Sequence, residues 1–206
     1  MTNYNMFDVL IIGGGVSGMS CALVLGSAKK KSFASDKKIG IIAHQKASAL
    51  QEAVINNAYG IPAGTLGTDL LSESIQHLSE TYPHISQIFD EKVLKIEGEY
   101  PEFSVITNKN TYKAKIIVVG IGSANTFAIE GLTQFVEPHQ KALPEKQRIQ
   151  LKNDDHKVAE GIYVIGVLAG WRSQVAIAAG SGAAVATDIL TLWNNGIQTH
   201  AHDSTR

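Results

Sequence analysis

Residues 7–28 read FDVLIIGGGVSGMSCALVLGSA. Six residues rich in Val, Ile and Leu run into three glycines, and an apolar, alanine-containing stretch follows. That pattern predicts a buried strand over 7–12, a tight turn, and a helix over 16–25. Gly13, Gly15 and Gly18 have the spacing G-x-G-x-x-G. In a strand-turn-helix context the first glycine makes the turn and the second lets the backbone approach a pyrophosphate. The third lets helix and sheet pack closely. The N–H groups that open the helix, at Val16 and Ser17, then face the phosphates with the positive end of the helix dipole. After a basic run, KKKSFASDKK at 29–38, read as a solvated loop, comes IGIIA at 39–43, a second parallel strand. The expectation is a βαβ unit holding a dinucleotide.

The acidic residue that usually ends the second strand and takes the ribose hydroxyls is missing. Ala43, His44 and Gln45 stand there, and Asp36 lies in the loop before the strand. His44 and Gln45 are the candidates to donate to a ribose oxygen instead.

The rest of the chain fits one α/β unit over 1–195 with a flexible tail over 196–206. Eighteen Lys and Arg against 19 Asp and Glu leave a net charge of −1, which gives no long-range pull on nucleic acid or an anionic membrane. A single cysteine, Cys21, excludes an internal disulfide or a dithiol redox centre. It reads as a small packing residue of the first helix. Residues 9–28 carry no charge and are long enough to span a bilayer, yet strand and glycine turn break the run. No basic region precedes it, so a cytoplasmic location is expected.

Further along, Leu70, Leu71, Ile75 and Leu78 predict a helix over 69–82, with Thr68 as N-cap and Pro83 as stop. Residues 92–97 and 102–107 alternate and are joined by GEYP, predicting a hairpin. KAKIIVVGIGS is another buried strand running into Gly120 and Gly122, and 161–166 is a last apolar strand. Residues 174–193 form an alanine-rich helix. Residues 124–160 read as an excursion with one or two short strands. Trp171 is expected to pack in the core beside Gly170. No metal site is expected, His200 and His202 included.

Three segments together resemble the FAD-binding half of the thioredoxin-reductase-like pyridine nucleotide–disulfide oxidoreductases: FDVLIIGGGVSGMSCAL, KAKIIVVGIGS and EGIYVIGVLAGWRSQVAIAAGSGAAVA. The resemblance implies a Rossmann-like FAD-binding fold, with a central parallel sheet and a β-meander, and FAD as cofactor. It places Gly120 and Gly122 at the family's ATG-like turn and Gly166-Val167 at its Gly-Asp pair. It also places Arg172, Ser173, Gln174 and Ala178 where a helix approaches the flavin, and adds Val93 to the cofactor-binding set.

Three departures accompany the resemblance: Val167 for the aspartate, Ile121 for the threonine, and no ribose acid. Loss of one charged partner is worth about 1–3 kcal/mol. Residues 123–160 are also too few for the NAD(P) domain that full-length members insert there, and there is no CxxC. The implied function is an FAD-dependent oxidoreductase of unknown substrate without its own NAD(P)H domain. The alternatives are a non-catalytic binding or scaffold subunit, or a flavin carrier that docks to a reductase. A homodimer or a partner protein is expected on the face that a nicotinamide domain would cover.

Overall fold

The computed structural model describes residues 6–44, 48–199 and 201. β1 (Phe7–Ile12) enters the glycine turn and α1 (Val16–Ser27), and β2 (Ile39–Ala43) returns parallel to β1. A small ladder of β3 (Val54–Ile55) and β4 (Thr65–Leu66) precedes α2 (Gly67–Thr81). Then follow β5 (Ser86–Phe89), the meander strands β6 (Val93–Glu99) and β7 (Glu102–Thr107), and β8 (Thr111–Val119). The excursion forms a hairpin of β9 (Val136–Pro138) and β10 (Ile149–Leu151), then β11 (Lys157–Ala159). The described chain ends with β12 (Ile162–Val164) and α3 (Val175–Trp193), followed by a short C-terminal segment.

Across the main sheet the order is β11, β12, β8, β1, β2, β5, with β7 and β6 branching from β8. The five strands from β12 to β5 are parallel, and β11 is antiparallel at its edge. One edge of β8 is divided between two partners: residues 111–114 pair with β7 and residues 117–119 with β12. This is the α/β architecture with parallel sheet and meander that the sequence implies.

Strand alternation builds two apolar layers. Val9 and Ile11 of β1 and Ile116 and Val118 of β8 face α1, α3 and Leu78 of α2. Leu10, Ile12, Ile117 and Val119 face the opposite way, onto the meander residues Phe103 and Val105 and onto Leu132, Leu151 and Leu168. Helix α3 is long and apolar enough to cross a membrane. Here Val185, Ala186, Ile189 and Leu190 are buried in the layer that contains α1, so packing within the fold accounts for their apolarity.

Several expectations are corrected. β5 was not expected: two of its four residues are polar, as suits an edge strand half in water. α2 starts at Gly67, with Leu66 as N-cap, rather than after Thr68. At Gly67 a Cβ would come within 2.0 Å of the Leu50 carbonyl oxygen, and Thr68 inside the first turn donates to Asp69 instead. Trp171 is 41% exposed, not buried in the core. His200 and His202 lie outside the described residues.

Candidate functional site

The edge where β1, β8 and β12 end is formed by backbone pairing that continues past the strands. Gly13 N–H donates to the Ile42 carbonyl at 2.9 Å, Gly120 N–H to Ile12 at 2.8 Å, and Ile165 N–H to Val119 at 2.9 Å. The turns at 13, 120 and 166 therefore lie side by side at the carboxyl ends of parallel strands. In open α/β sheets this is where ligands bind.

The fingerprint glycines divide the work as their spacing suggests. Gly13 has φ +116°, and a Cβ on it would fall 2.5 Å from the Gly120 carbonyl oxygen. One on Gly18 would fall 1.8 Å from the Gly13 oxygen. Gly15 differs: nothing lies within 4 Å of its Cβ position, so the side that a phosphate would approach is open. α1 has no side-chain cap and no acidic residue in its first turn. Its Val16 and Ser17 N–H groups precede the first bond of the ladder, from Met19 to the Gly15 oxygen at 2.9 Å.

Ser17 is where the segments meet. Its Oγ is 2.8 Å from the place a Cβ on Gly166 would take and 3.2 Å from that on Gly120, and its carbonyl oxygen is 2.0 Å from that on Gly182. Gly166, at φ +69°, donates its N–H to Ser181 Oγ at 2.8 Å. Ser181 and Gly182 were not anticipated. The only signal for them was the small-residue composition of α3, which does not say which small residue touches what.

The other expected site residues are scattered in role. His44 directly follows β2, and its Nδ1 is a buried atom with no hydrogen-bond partner among the described residues. Gln45 lies outside the described residues. The Val93 side chain is buried in the meander layer, leaving only its backbone for a ligand. Ile121 packs its Cγ2 toward Gly13, and Gly122 is exposed with open space around it. Val167 is half-buried, and Arg172, Ser173 and Gln174 are exposed before α3. Gln174 is the N-cap of α3, again with no side-chain cap bond and no acid in the first turn. Ala178 is half-buried and closes the first turn onto the Gln174 oxygen at 2.9 Å.

Trp171 stacks on His156, with ring centroids 6.0 Å apart, and Lys141 Nζ lies 4.5 Å from the Trp171 ring centre. His156 Nδ1 is 2.8 Å from the Val164 carbonyl oxygen, which makes Nδ1 the protonated nitrogen. Beside this stack, Glu137, Lys141, Gln150, Lys152 and Gly170 contribute to the wall of a polar cavity of about 340 Å³. Among the described residues no group of three or more His, Cys, Asp or Glu side chains can hold a metal ion.

Cys21 is fully buried in α1, and burial pushes its thiol well above the ordinary range. The thiolate is the reactive form. Cys21 is therefore expected to resist an alkylating reagent in the native protein and to react at once in denaturant, as read by intact mass. Rapid native labelling would contradict the packing role.

Comparison with known proteins fits this geometry. The family described as pyridine nucleotide-disulphide oxidoreductase matches residues 7–182. A ferredoxin--NADP reductase of Lactococcus lactis subsp. cremoris (strain SK11) is 31% identical over 116 residues, covering 56% of this chain and 35% of the relative. The corresponding protein of L. lactis subsp. lactis (strain IL1403) is 30% identical over the same length. The chain thus spans about a third of the length of the curated relatives it matches. Among solved structures, a thioredoxin reductase from Gloeobacter violaceus superposes with a TM-score of 0.72 at 16% identity, over 97% of this chain and 99% of that one. A ferredoxin-flavin thioredoxin reductase from Clostridium acetobutylicum gives 0.67 at 16% identity, over 92% and 99%. At such identity these superpositions speak to the fold, a Rossmann-like FAD-binding fold. With its fingerprint turn, the strands of its main sheet and the start of α3 within the matched span, this chain belongs to the pyridine nucleotide-disulphide oxidoreductase family.

Proposed function

We propose that the chain is an FAD-binding flavoprotein unit, spanning residues 1–195, that works in oxidoreduction on a substrate of its own and draws electrons from outside itself. The observation that carries this reading is the meeting of the turns at Gly13–Gly18, Gly120–Gly122 and Gly166 around Ser17, beside an uncapped helix start with open space at Gly15. A dinucleotide pyrophosphate needs backbone N–H groups, a positive helix end and no side chain in the way, and these residues fit it.

FAD supplies hydride and electron transfer when bound. The chain's own residues hold it and shape its surroundings. Val16 and Ser17 N–H groups take the phosphates, and His44 Nδ1 takes a ribose hydroxyl in place of the absent acid. The start of α3, with Arg172, Ser173 and Gln174, brings N–H groups and positive charge to the flavin end, favouring an anionic ring. One buried cysteine cannot form the dithiol that disulfide reduction within the chain requires. That removes an internal acceptor for the flavin's electrons, and residues 123–160 are too few for a nicotinamide domain that would supply them, so in this reading both donor and acceptor reach the flavin from a partner or as diffusing molecules. Loss of polar side chains at Val167 and Ile121 supports the competing reading, a family member that keeps the fold as a non-catalytic binding subunit.

A visible spectrum after incubation with excess FAD and desalting separates the two. The wild type is expected to retain flavin bands, and Gly15→Val to lose at least tenfold in affinity, against a few-fold for His44→Ala. Gly15 has φ −77° and ψ −176°, an extended conformation open to valine, so the variant keeps its fold apart from a poorer cap worth about 1 kcal/mol. A colourless wild type with no heat of FAD binding, and a Gly15→Val that behaves the same, would establish the non-catalytic reading.

A further inference from the structure

Ser17 is only 6% exposed, yet its hydroxyl makes no hydrogen bond among the described residues. The two other buried serines are both engaged. Ser181 Oγ accepts from Gly166 N–H at 2.8 Å, and Ser123 Oγ accepts from Arg148 at 3.3 Å. Even the half-buried Ser20, on the same helix, donates to the Ala179 carbonyl at 2.8 Å. Ser17 Oγ is nonetheless not among the sealed, unpartnered side-chain atoms of the described residues, which are His44 Nδ1, His84 Nε2 and Gln87 Oε1, so the little of Ser17 that stays accessible includes this oxygen. The idle hydroxyl is also not walled in by neighbouring side chains. The two residues whose side chains would cover it, at 2.8 and 3.2 Å, are Gly166 and Gly120, which have none. It stands between the two turns whose usual polar side chains are replaced here by Val167 and Ile121.

We propose that the Ser17 hydroxyl is a cofactor-positioning group that hydrogen-bonds an oxygen of the phosphate–ribityl chain of FAD, taking over contacts that positions 121 and 167 no longer make. This rests on the flavoprotein reading above and adds a residue to it. Three further features support it. The residue sits in the first turn of α1, beside the phosphate-binding N–H groups. Its backbone is held rigidly, because the Ser17 carbonyl is in close approach to Gly182 of α3. No acid stands in the first turn of α1 or α3 to compete for the hydroxyl proton.

The test compares wild type, Ser17→Ala, Val167→Asp and the double variant by calorimetric titration with FAD and by thermal unfolding with and without FAD. Ser17→Ala removes one oxygen and adds nothing that can clash. It is expected to weaken FAD binding about tenfold, the size of one hydrogen bond to a charged or polar chain. Without FAD its melting midpoint is expected to match that of the wild type, because the hydroxyl makes no bond within the fold. With FAD its midpoint rises less than that of the wild type. Restoring a carboxylate through Val167→Asp is expected to recover affinity more in the Ser17→Ala background than in the wild type. A merely structural role would lower the midpoint without FAD and leave the FAD-induced rise intact. Wild type that binds FAD, with Ser17→Ala within twofold of it, overturns this proposal alone. Wild type that binds none overturns it together with the flavoprotein reading.

Discussion

Gly182→Ala is expected to destabilise the protein by about 3 kcal/mol or more, the upper range for forcing a methyl into a filled space. For a chain of this length that lowers the melting midpoint by roughly 6–12 °C. The added Cβ would stand 2.0 Å from the Ser17 carbonyl oxygen, 2.9 Å from its carbonyl carbon and 3.0 Å from Cys21 N. All three are backbone atoms of α1, so no side-chain rotation relieves the clash and the two helices have to move apart. The Ser181 bond to Gly166 sits one residue away and is disturbed with it. Gly180 is the internal control. Nothing lies within 4 Å of its Cβ position, so Gly180→Ala is expected to be neutral or to stabilise by up to about 1 kcal/mol through helix propensity. Equal effects of the two substitutions in thermal or urea unfolding would mean that α1 and α3 are not packed backbone to backbone.

The second large effect is expected at Glu91, a carboxylate buried between the start of β6 and the turn before β8. Its oxygens accept from Thr107 Oγ1 at 2.6 Å, and from Asn110 Nδ2 and Tyr112 OH, both at 2.8 Å. Glu91→Ala takes away the acceptor these three share. It is expected to cost about 3 kcal/mol, the upper end for stranding buried donors. Burial pushes the Glu91 carboxyl up, but the bonds from Thr107, Tyr112 and Asn110, with the Lys109 charge, outweigh it and hold the group below its ordinary range. A carboxylate depressed in the folded state stabilises in full above its unfolded value, about pH 4.3, and that contribution fades as pH falls through the lower folded value. The stability gap between wild type and Glu91→Gln should thus be widest near neutrality and close in acid. A gap that widens as pH falls would reverse the assigned sign.

Legibility in the sequence followed the kind of contact involved. β1, β2, β8 and α3 were readable because each is a run of apolar residues next to glycines, and such runs carry their own periodicity. β5 was not readable: SQIF gains its strand character from pairing with β2, not from its own residues. The start of α2 was misplaced because Gly67 is dictated by the nearness of Leu50, a contact between residues far apart in the pattern. Trp171 looked like core because it is large and apolar, whereas its surroundings are a histidine and a lysine. At the candidate site the fingerprint glycines announced themselves through spacing. The engagement of Ser17 with Gly120, Gly166 and Gly182 left no such trace, since it exists only once three distant segments share one edge.

The divided edge of β8 has a bearing on how the molecule comes into being. As the chain leaves the ribosome, β6, β7 and the first half of β8 can pair at once, because only short connections separate them. Residues 117–119 have to wait for residues 162–164, and α1 has to wait for α3. Closing a long loop is entropically slower than closing a hairpin. Until it closes, β8 presents unpaired N–H and C=O groups of the kind that recruit other nascent chains. The turns at 13 and 120 are aligned earlier, through β1 and β8, but the turn at 166 joins them only at that last step. The candidate site at this edge is therefore completed last, and a nascent or C-terminally trimmed polypeptide lacks its third turn at the stage when it is most prone to aggregate.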